Sequence, residues 1–158
     1  MVAGFKMRKA QLADIQAVYN LSNDALVRRN SIHQGLIPFE MHERWFNARL
    51  ADSGTLFYVV EVDDGRLAGQ VRFQKEAGEW VVSISIAPDF RGQHLGDAFL
   101  SEAIRLSNVS PLHAVVRHDN IPSLRLFEHN GFRRENSSDT ARASFLLSGS
   151  LRRKRVNE

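Results

Sequence analysis

No cysteine occurs among the 158 residues, and that absence removes several chemistries at once. There can be no disulfide framework, no thiolate zinc site and no cysteine nucleophile. A reducing cytoplasm is the simplest address for such a chain. No run of about 18 apolar residues is present either, so nothing reads as a membrane span. The opening Met1-Val2-Ala3-Gly4-Phe5-Lys6 lacks the apolar stretch and small-residue cleavage site of a secretory signal. No fixed-period repeat and no low-complexity linker divides the chain. What is there is ordinary for a folded protein: 43% hydrophobic and 25% charged residues exclude a wholly disordered chain. The length fits one domain with a real core, expected over 1–150, followed by a disordered tail over 151–158.

The formal charge of +3 loses its meaning once located. Arg152, Arg153, Lys154 and Arg155 hold four of the 21 basic residues, which leaves 17 against 18 acidic ones. A nucleic-acid binder carries positive charge as a stripe on a folded face, so the terminal cluster reads as a solvated tail.

Residues 5–9 alternate weakly and predict a short strand. Leu12, Ile15, Val18, Tyr19 and Ser22 follow helical spacing and predict a helix over 11–22. Residues 23–38 are polar and read as loop with a short helical turn. Residues 39–50 return to helical spacing, with Met41, Trp45, Phe46, Ala48 and Leu50 as the apolar face. Then the period becomes two. Strands over 56–62 and 67–74 flank the hairpin turn Asp63-Asp64-Gly65-Arg66. A third strand over 79–87 carries Trp80, Val82, Ile84 and Ile86 on one face, and Val81, Ser83 and Ser85 on the other. Leu95, Ala98, Phe99, Ala103 and Leu106 predict a helix, and residues 112–117 another strand. Asn120-Ile121-Pro122-Ser123 opens a short helix that stops at Asn130-Gly131. Residues 132–135 and 143–147 complete seven strands. The order β-α-α-β-β-β-α-β-α-β-β predicts an α/β domain, antiparallel at first, with one βαβ crossover later.

The strand-to-helix turn at Arg91 carries the chemistry. Backbone N–H groups at a helix start lack internal partners and carry the positive end of the helix dipole. Gly92 and Gly96 let a phosphate approach them, and Arg91 adds charge. An ordinary turn with a solvent-facing Arg accounts for the same residues equally well.

Ile86-Ala87-Pro88-Asp89-Phe90-Arg91-Gly92-Gln93-His94-Leu95-Gly96 resembles the acetyl-coenzyme A signature of the GNAT superfamily of N-acetyltransferases. That signature reads Arg or Gln, two residues, Gly, one residue, then Gly or Ala. Asn120 to Phe132 is similar to the family's second signature, and the resemblance covers about 5–147. It implies a mixed, mostly antiparallel sheet of about seven strands with flanking helices. The fourth and fifth strands would splay apart to hold acetyl-CoA, the acyl donor, with no metal required. Ile84, Ser85 and Ile86 would pair through their backbone with pantetheine. Arg91, Gly92, Gln93, His94, Leu95, Gly96 and Asp97 would hold the pyrophosphate, and Asn120, Ser123 and Phe127 would complete the cofactor set. The Ile86 N–H would stabilise the oxyanion. Two positions depart from the pattern. His94 stands where the family usually has Gly, and Phe127 where many relatives have a Tyr proposed to protonate the leaving sulfur. A thiol pKa of about 8.5 makes the thiolate a tolerable leaving group without that hydroxyl.

For the acceptor, Glu79 is the candidate general base, since relatives often place an acidic residue there; a solvent-facing turn residue is the alternative. The segments Asn23 to Arg28, His42 to Phe46 and Gly69 to Phe73 resemble a subgroup acting on nucleotide-linked amino sugars, as in pseudaminic acid-type biosynthesis. That resemblance puts Asn23, Arg28, His42, Trp45 and Arg72 at the acceptor. His42 and Trp45 share a helix face and would flank a sugar or base; Arg72 would meet a diphosphate or a carboxylate. The expected partner is thus a small-molecule amine, with no membrane and no nucleic acid, and a homodimer is left open. Three other readings compete: acetylation of a protein α-amine, as in ribosomal-protein N-acetyltransferases, a noncatalytic acyl-CoA-binding module, and nucleic-acid binding through the tail.

Overall fold

Seven strands form one sheet in the order β1-β2-β3-β4-β5-β7-β6 in the computed structural model, which describes residues 2–149. The basic run from Arg152 to Arg155 lies outside the described residues. Strand β1 (Phe5–Lys9) leads through α1 (Ile15–Ser22), α2 (Ala25–Asn30) and α3 (Phe39–Ala51) into β2 (Thr55–Val62), β3 (Leu67–Glu76) and β4 (Glu79–Ile86). Then come α4 (Leu95–Ser107), β5 (Leu112–Arg117), α5 (Ile121–His129), β6 (Arg133–Glu135) and β7 (Arg142–Leu147). All neighbours pair antiparallel except β4 and β5, the strands joined by the α4 crossover. The fold is the mixed α/β class expected from the element order.

Strand alternation splits the core between the sheet's two faces. Tyr58, Val60, Val71, Phe73 and Val82 turn one way, onto Phe99, Leu100 and Ala103 of α4 and Phe127 of α5. Phe57 and Val59 turn the other way, onto Val18 of α1 and Phe46 of α3. Each face thus has its own helical cover.

Three local readings change. The first helix is preceded by a 3-10 turn, Leu12–Asp14, because the buried Asp14 carboxylate accepts the Gln11 N–H at 2.7 Å and both terminal nitrogens of Arg8 at 2.8 Å. Within 23–38 the helical turn is a six-residue helix, α2, whose N–H groups at Leu26 and Val27 are capped by Asp24. The buried side of α3 carries His42 rather than Met41. His42 is 1% exposed and Met41 56%, and Ala48 also faces solvent, because the stripe actually packed runs through His42, Trp45, Phe46, Arg49 and Leu50. Counting histidine as polar hid that stripe.

Candidate active site

The β4–β5 ladder has only two registered pairs, Trp80 with Leu112 and Val81 with His113. Beyond them the strands part, so Val82 to Ile86 keep β3 as a partner on one side only. Their outward backbone groups form an open edge, the kind of edge an extended ligand can pair with. Gly69 makes the approach of β3 to this segment possible. A Cβ there would lie 2.8 Å from the Ser85 carbonyl oxygen and 3.3 Å from the Phe99 ring. Side-chain bulk is excluded by backbone, and backbone cannot yield cheaply.

At the open end the chain turns through Pro88–Phe90 and enters α4. Gly92 and His94 both have left-handed backbone, at φ +74° and +57°. That conformation explains why glycine is natural at position 94, since a side chain there carries a strain of roughly 1–2 kcal/mol. His94 makes no capping hydrogen bond to α4, so the first N–H groups of that helix are left to face an incoming anion. The unpaired strand edge and the uncapped helix start together fit an extended arm ending in a pyrophosphate.

The side chains of this loop are engaged with the protein itself. Arg91 Nε donates to the Ile86 carbonyl at 3.0 Å, and its Nη2 donates to Asp24. Partial burial pushes the Asp24 carboxyl up, but hydrogen bonds from Arg91 and from α2 outweigh it and hold the group below its ordinary range. Gln93 Nε2 donates to the Asp89 carbonyl at 3.1 Å. Leu95 is buried in the core. Gly96 faces α5: a Cβ there would stand 3.3 Å from Leu126 Cδ1. Asp97 accepts from Asn130 at 2.7 Å and lies 3.3 Å from the His129 ring, tying α4 to α5. What the loop offers a phosphate is backbone N–H rather than side-chain charge.

On the opposite face, Gln70 and Arg72 of β3 sit beside Ser85 and Ser83 of β4. The Arg72 guanidinium lies 4.8 Å from the Trp45 ring centre and 5.8 Å from that of Phe57. Burial pulls it down to about 10, against the opposing pull of Glu76. Among the described residues no group of three or more His, Asp or Glu is placed to hold a metal ion, and no helix is long and apolar enough to cross a membrane.

A family model described as the acetyltransferase (GNAT) domain matches residues 5–133. The chain belongs to the GNAT acetyltransferase family. Two Bacillus subtilis proteins are similar to it. One, the uncharacterised N-acetyltransferase YnaD, is 27% identical over 82% of this chain and 79% of its own. The other, YwnH, provisionally named a phosphinothricin acetyltransferase, is 31% identical over 80% of this chain and 82% of its own. Among solved structures, the Vibrio cholerae spermidine N-acetyltransferase in complex with CoA and spermine superposes with a TM-score of 0.80 at 18% identity, covering 94% of this chain and 98% of that one. A structure provisionally called a phosphinothricin N-acetyltransferase gives 0.76 at 25% identity, covering 90% and 96%. The protein is therefore an acetyl-CoA-dependent N-acetyltransferase, and the β4–β5 gap is the splay expected from the resemblance.

Within this GNAT fold the expected site residues separate into groups. Ile84, Ser85 and Ile86 lie on the splayed segment, and Gly92 to Leu95 supply the loop and helix start. Asn120 accepts the Ser123 N–H at 3.4 Å, which makes this pair the cap of α5. Phe127 is 3% exposed, its ring 5.1 Å from Phe132 and 6.1 Å from Phe145. It is a core ring. On the acceptor side, Asn23 exchanges hydrogen bonds with both backbone groups of Ile37, and Arg28 braces Ser22, Ser31 and His33. His42 Nε2 donates to the Ile15 carbonyl at 3.1 Å and stacks on Phe46. These three brace the helical cover, and Trp45 and Arg72 lie half-buried against each other on the same face of the sheet.

Glu79 and Ile86 cannot serve one reacting centre. They open and close the same strand, about 23 Å apart at a strand's rise per residue. Glu79 is exposed at the paired end, 3.7 Å from His113, whose other ring nitrogen lies 3.6 Å from Glu135. Sequence reading also passed over Gln70, although strict alternation from Arg72 puts it on the same face.

Proposed function

We propose that the acetyl group goes to the primary amine of a small molecule, and that a nucleotide-linked amino sugar is the acceptor class to try first. The observation that carries acetyl transfer is the β4–β5 ladder ending after two pairs beside an uncapped helix start. What supports a charged acceptor is Arg72, whose guanidinium stands where a diphosphate would find a charge-assisted partner. Similar proteins named for phosphinothricin and spermidine support small molecules over proteins as the class to test.

Bound acetyl-CoA supplies the activated acyl group: the amine nitrogen bonds to the thioester carbon, the carbon–sulfur bond breaks, and the thiolate leaves. The chain contributes placement. Backbone groups of Ile84 to Ile86 align the arm and direct N–H donors at the developing oxyanion, while the start of α4 holds the phosphates. The splayed segment carries the hydroxyls of Ser83 and Ser85 and no titratable side chain. We take the amine's proton to leave to water, in which case the rate rises with pH until the amine itself is deprotonated.

Two measurements test this. Acetyl-CoA at a hundredfold excess over its dissociation constant should stabilise the fold by about 2.7 kcal/mol; an unmoved melting temperature defeats the reading of the splay. Mass spectrometry of products from acetyl-CoA with nucleotide-linked amino sugars, polyamines and peptides then decides the acceptor. Acetylated peptides with untouched small amines would return the enzyme to the protein α-amine class.

A further inference from the structure

Among the described residues, two buried polar atoms on one face of β3 have no partner. Gln70 is 7% exposed and its Oε1 accepts no hydrogen bond, while Arg72 Nε donates none. Leaving such groups unpaired costs stability, so a fold that keeps two of them side by side needs a reason. Around Arg72 the neighbours are ring faces, Trp45 and Phe57, which hold a cation without using its N–H donors. No carboxylate bonds to the guanidinium among the described residues, although Glu76 lies near enough to be felt.

The two residues are same-face neighbours on a strand, about 7 Å apart. Gln70 lies across from Ser85 and Arg72 from Ser83, both on the splayed half of β4. The acyl-donor edge is therefore one strand away. An orphan acceptor and an orphan donor at that spacing complement a ligand that presents a donor and an acceptor in the same order.

We infer that Gln70 and Arg72 form a subsite for an amine that carries its own oxyanion, a carboxylate or phosphoryl group a few bonds from the nitrogen. Gln70 Oε1 accepts an N–H of the amine, which orients the nitrogen and leaves its lone pair free. Arg72 takes the oxyanion in charge-assisted hydrogen bonds. A polycationic amine meets the like charge of Arg72 here and is disfavoured. The inference rests on the acetyl-transfer reading above and narrows its acceptor.

The test uses the full chain with acetyl-CoA and matched pairs of acceptors: an α-amino acid against its amide, an aminoalkylphosphonate against the plain alkylamine, and a uridine-diphosphate 2-amino sugar against the free amino sugar. Spermidine is added as the polycation. The oxyanion member of at least one pair should exceed its partner in kcat/KM by about tenfold or more, with spermidine lowest. Which pairs respond distinguishes a carboxylate from a phosphoryl group. Arg72→Gln should collapse that ratio while acetyl-CoA still raises the melting temperature. If Arg72→Gln does not fold, the wild-type ratio alone decides. Where turnover is too slow to compare, the same panel is read as melting-temperature shifts in the presence of CoA, and only oxyanion amines should add to the shift. Ratios near one, or favouring neutral or polycationic amines, overturn the inference and leave acetyl transfer standing; so does the absence of both turnover and shift with every oxyanion amine. Failure to bind acetyl-CoA at all brings down the underlying reading instead.

Discussion

The cofactor side and the acceptor side of the sheet are built from opposite materials. At the splay and the loop after it, the side chains are occupied: Arg91 with Ile86 and Asp24, Asp97 with Asn130, Leu95 in the core, Gly96 against Leu126. The groups left over are main-chain ones, on the open edge of β4 and at the start of α4. Across the sheet the main chain is consumed by a regular ladder, and the unpaired atoms belong to the Gln70 and Arg72 side chains. A site made of backbone needs only the right conformation, so it survives a histidine at position 94 with its N–H groups intact. A site made of side chains depends on identity, and a single substitution rewrites it.

Three changes probe that contrast, in falling order of effect. Gly69→Ala sits where the two sides meet, with backbone 2.8 Å from the new methyl. It should cost about 1–3 kcal/mol in chemical denaturation. Acetyl-CoA affinity should fall with it, because Ser85 must move; stability lost without affinity lost would uncouple the splay from β3. The next concerns His42, whose burial holds the imidazole below its ordinary 6.5 despite the bond to Ile15. Below pH 6.5 the unfolded chain takes up a proton that the folded one refuses. Stability should therefore fall as pH drops from 6.5 toward the depressed value, by at most about 1.4 kcal/mol per pH unit. His42→Gln should flatten that part of the profile, and an unchanged slope would assign the loss to other groups. The smallest effect belongs to Gly96→Ala. The gain in helix propensity, up to about 1 kcal/mol, offsets the pressure on a Leu126 side chain that can shift. Stability should stay within about 0.5 kcal/mol and acetyl-CoA affinity should hold; weakened binding would mean that the Gly96 side of α4 faces the phosphates after all.

The contrast also explains what could be read from the chain alone. Strand alternation and glycine punctuation located all seven strands, and the spacing from Arg91 to Gly96 marked the turn because backbone conformation leaves a trace in residue choice. Spacing says less about direction. Gly96 belongs to the motif, yet its Cα turns to α5; Phe127 belongs to the second signature, yet its ring packs on Phe145. Placing both Glu79 and Ile86 at one reaction centre ignored the length of an extended strand. The buried stripe of α3 was missed because a neutral histidine packs like an aromatic ring when a carbonyl takes its N–H. Gln70 needed only the period-two rule applied once more from Arg72.

In β2, Phe57 and Val59 enter one hydrophobic cluster while Tyr58 and Val60 enter the other. One strand therefore serves two cores that hardly touch. Substitutions in the helices over Phe57 should add to, rather than compound, those beneath Tyr58, since side chains on opposite faces of a sheet share few neighbours. Lineages can then remodel the cover of α1 and α3 with little effect on the α4 and α5 side, as long as Asp24 at the start of α2 keeps its bond to Arg91. Divergence of acceptors over an unaltered acyl-donor half is what such an architecture permits, one tolerated substitution at a time.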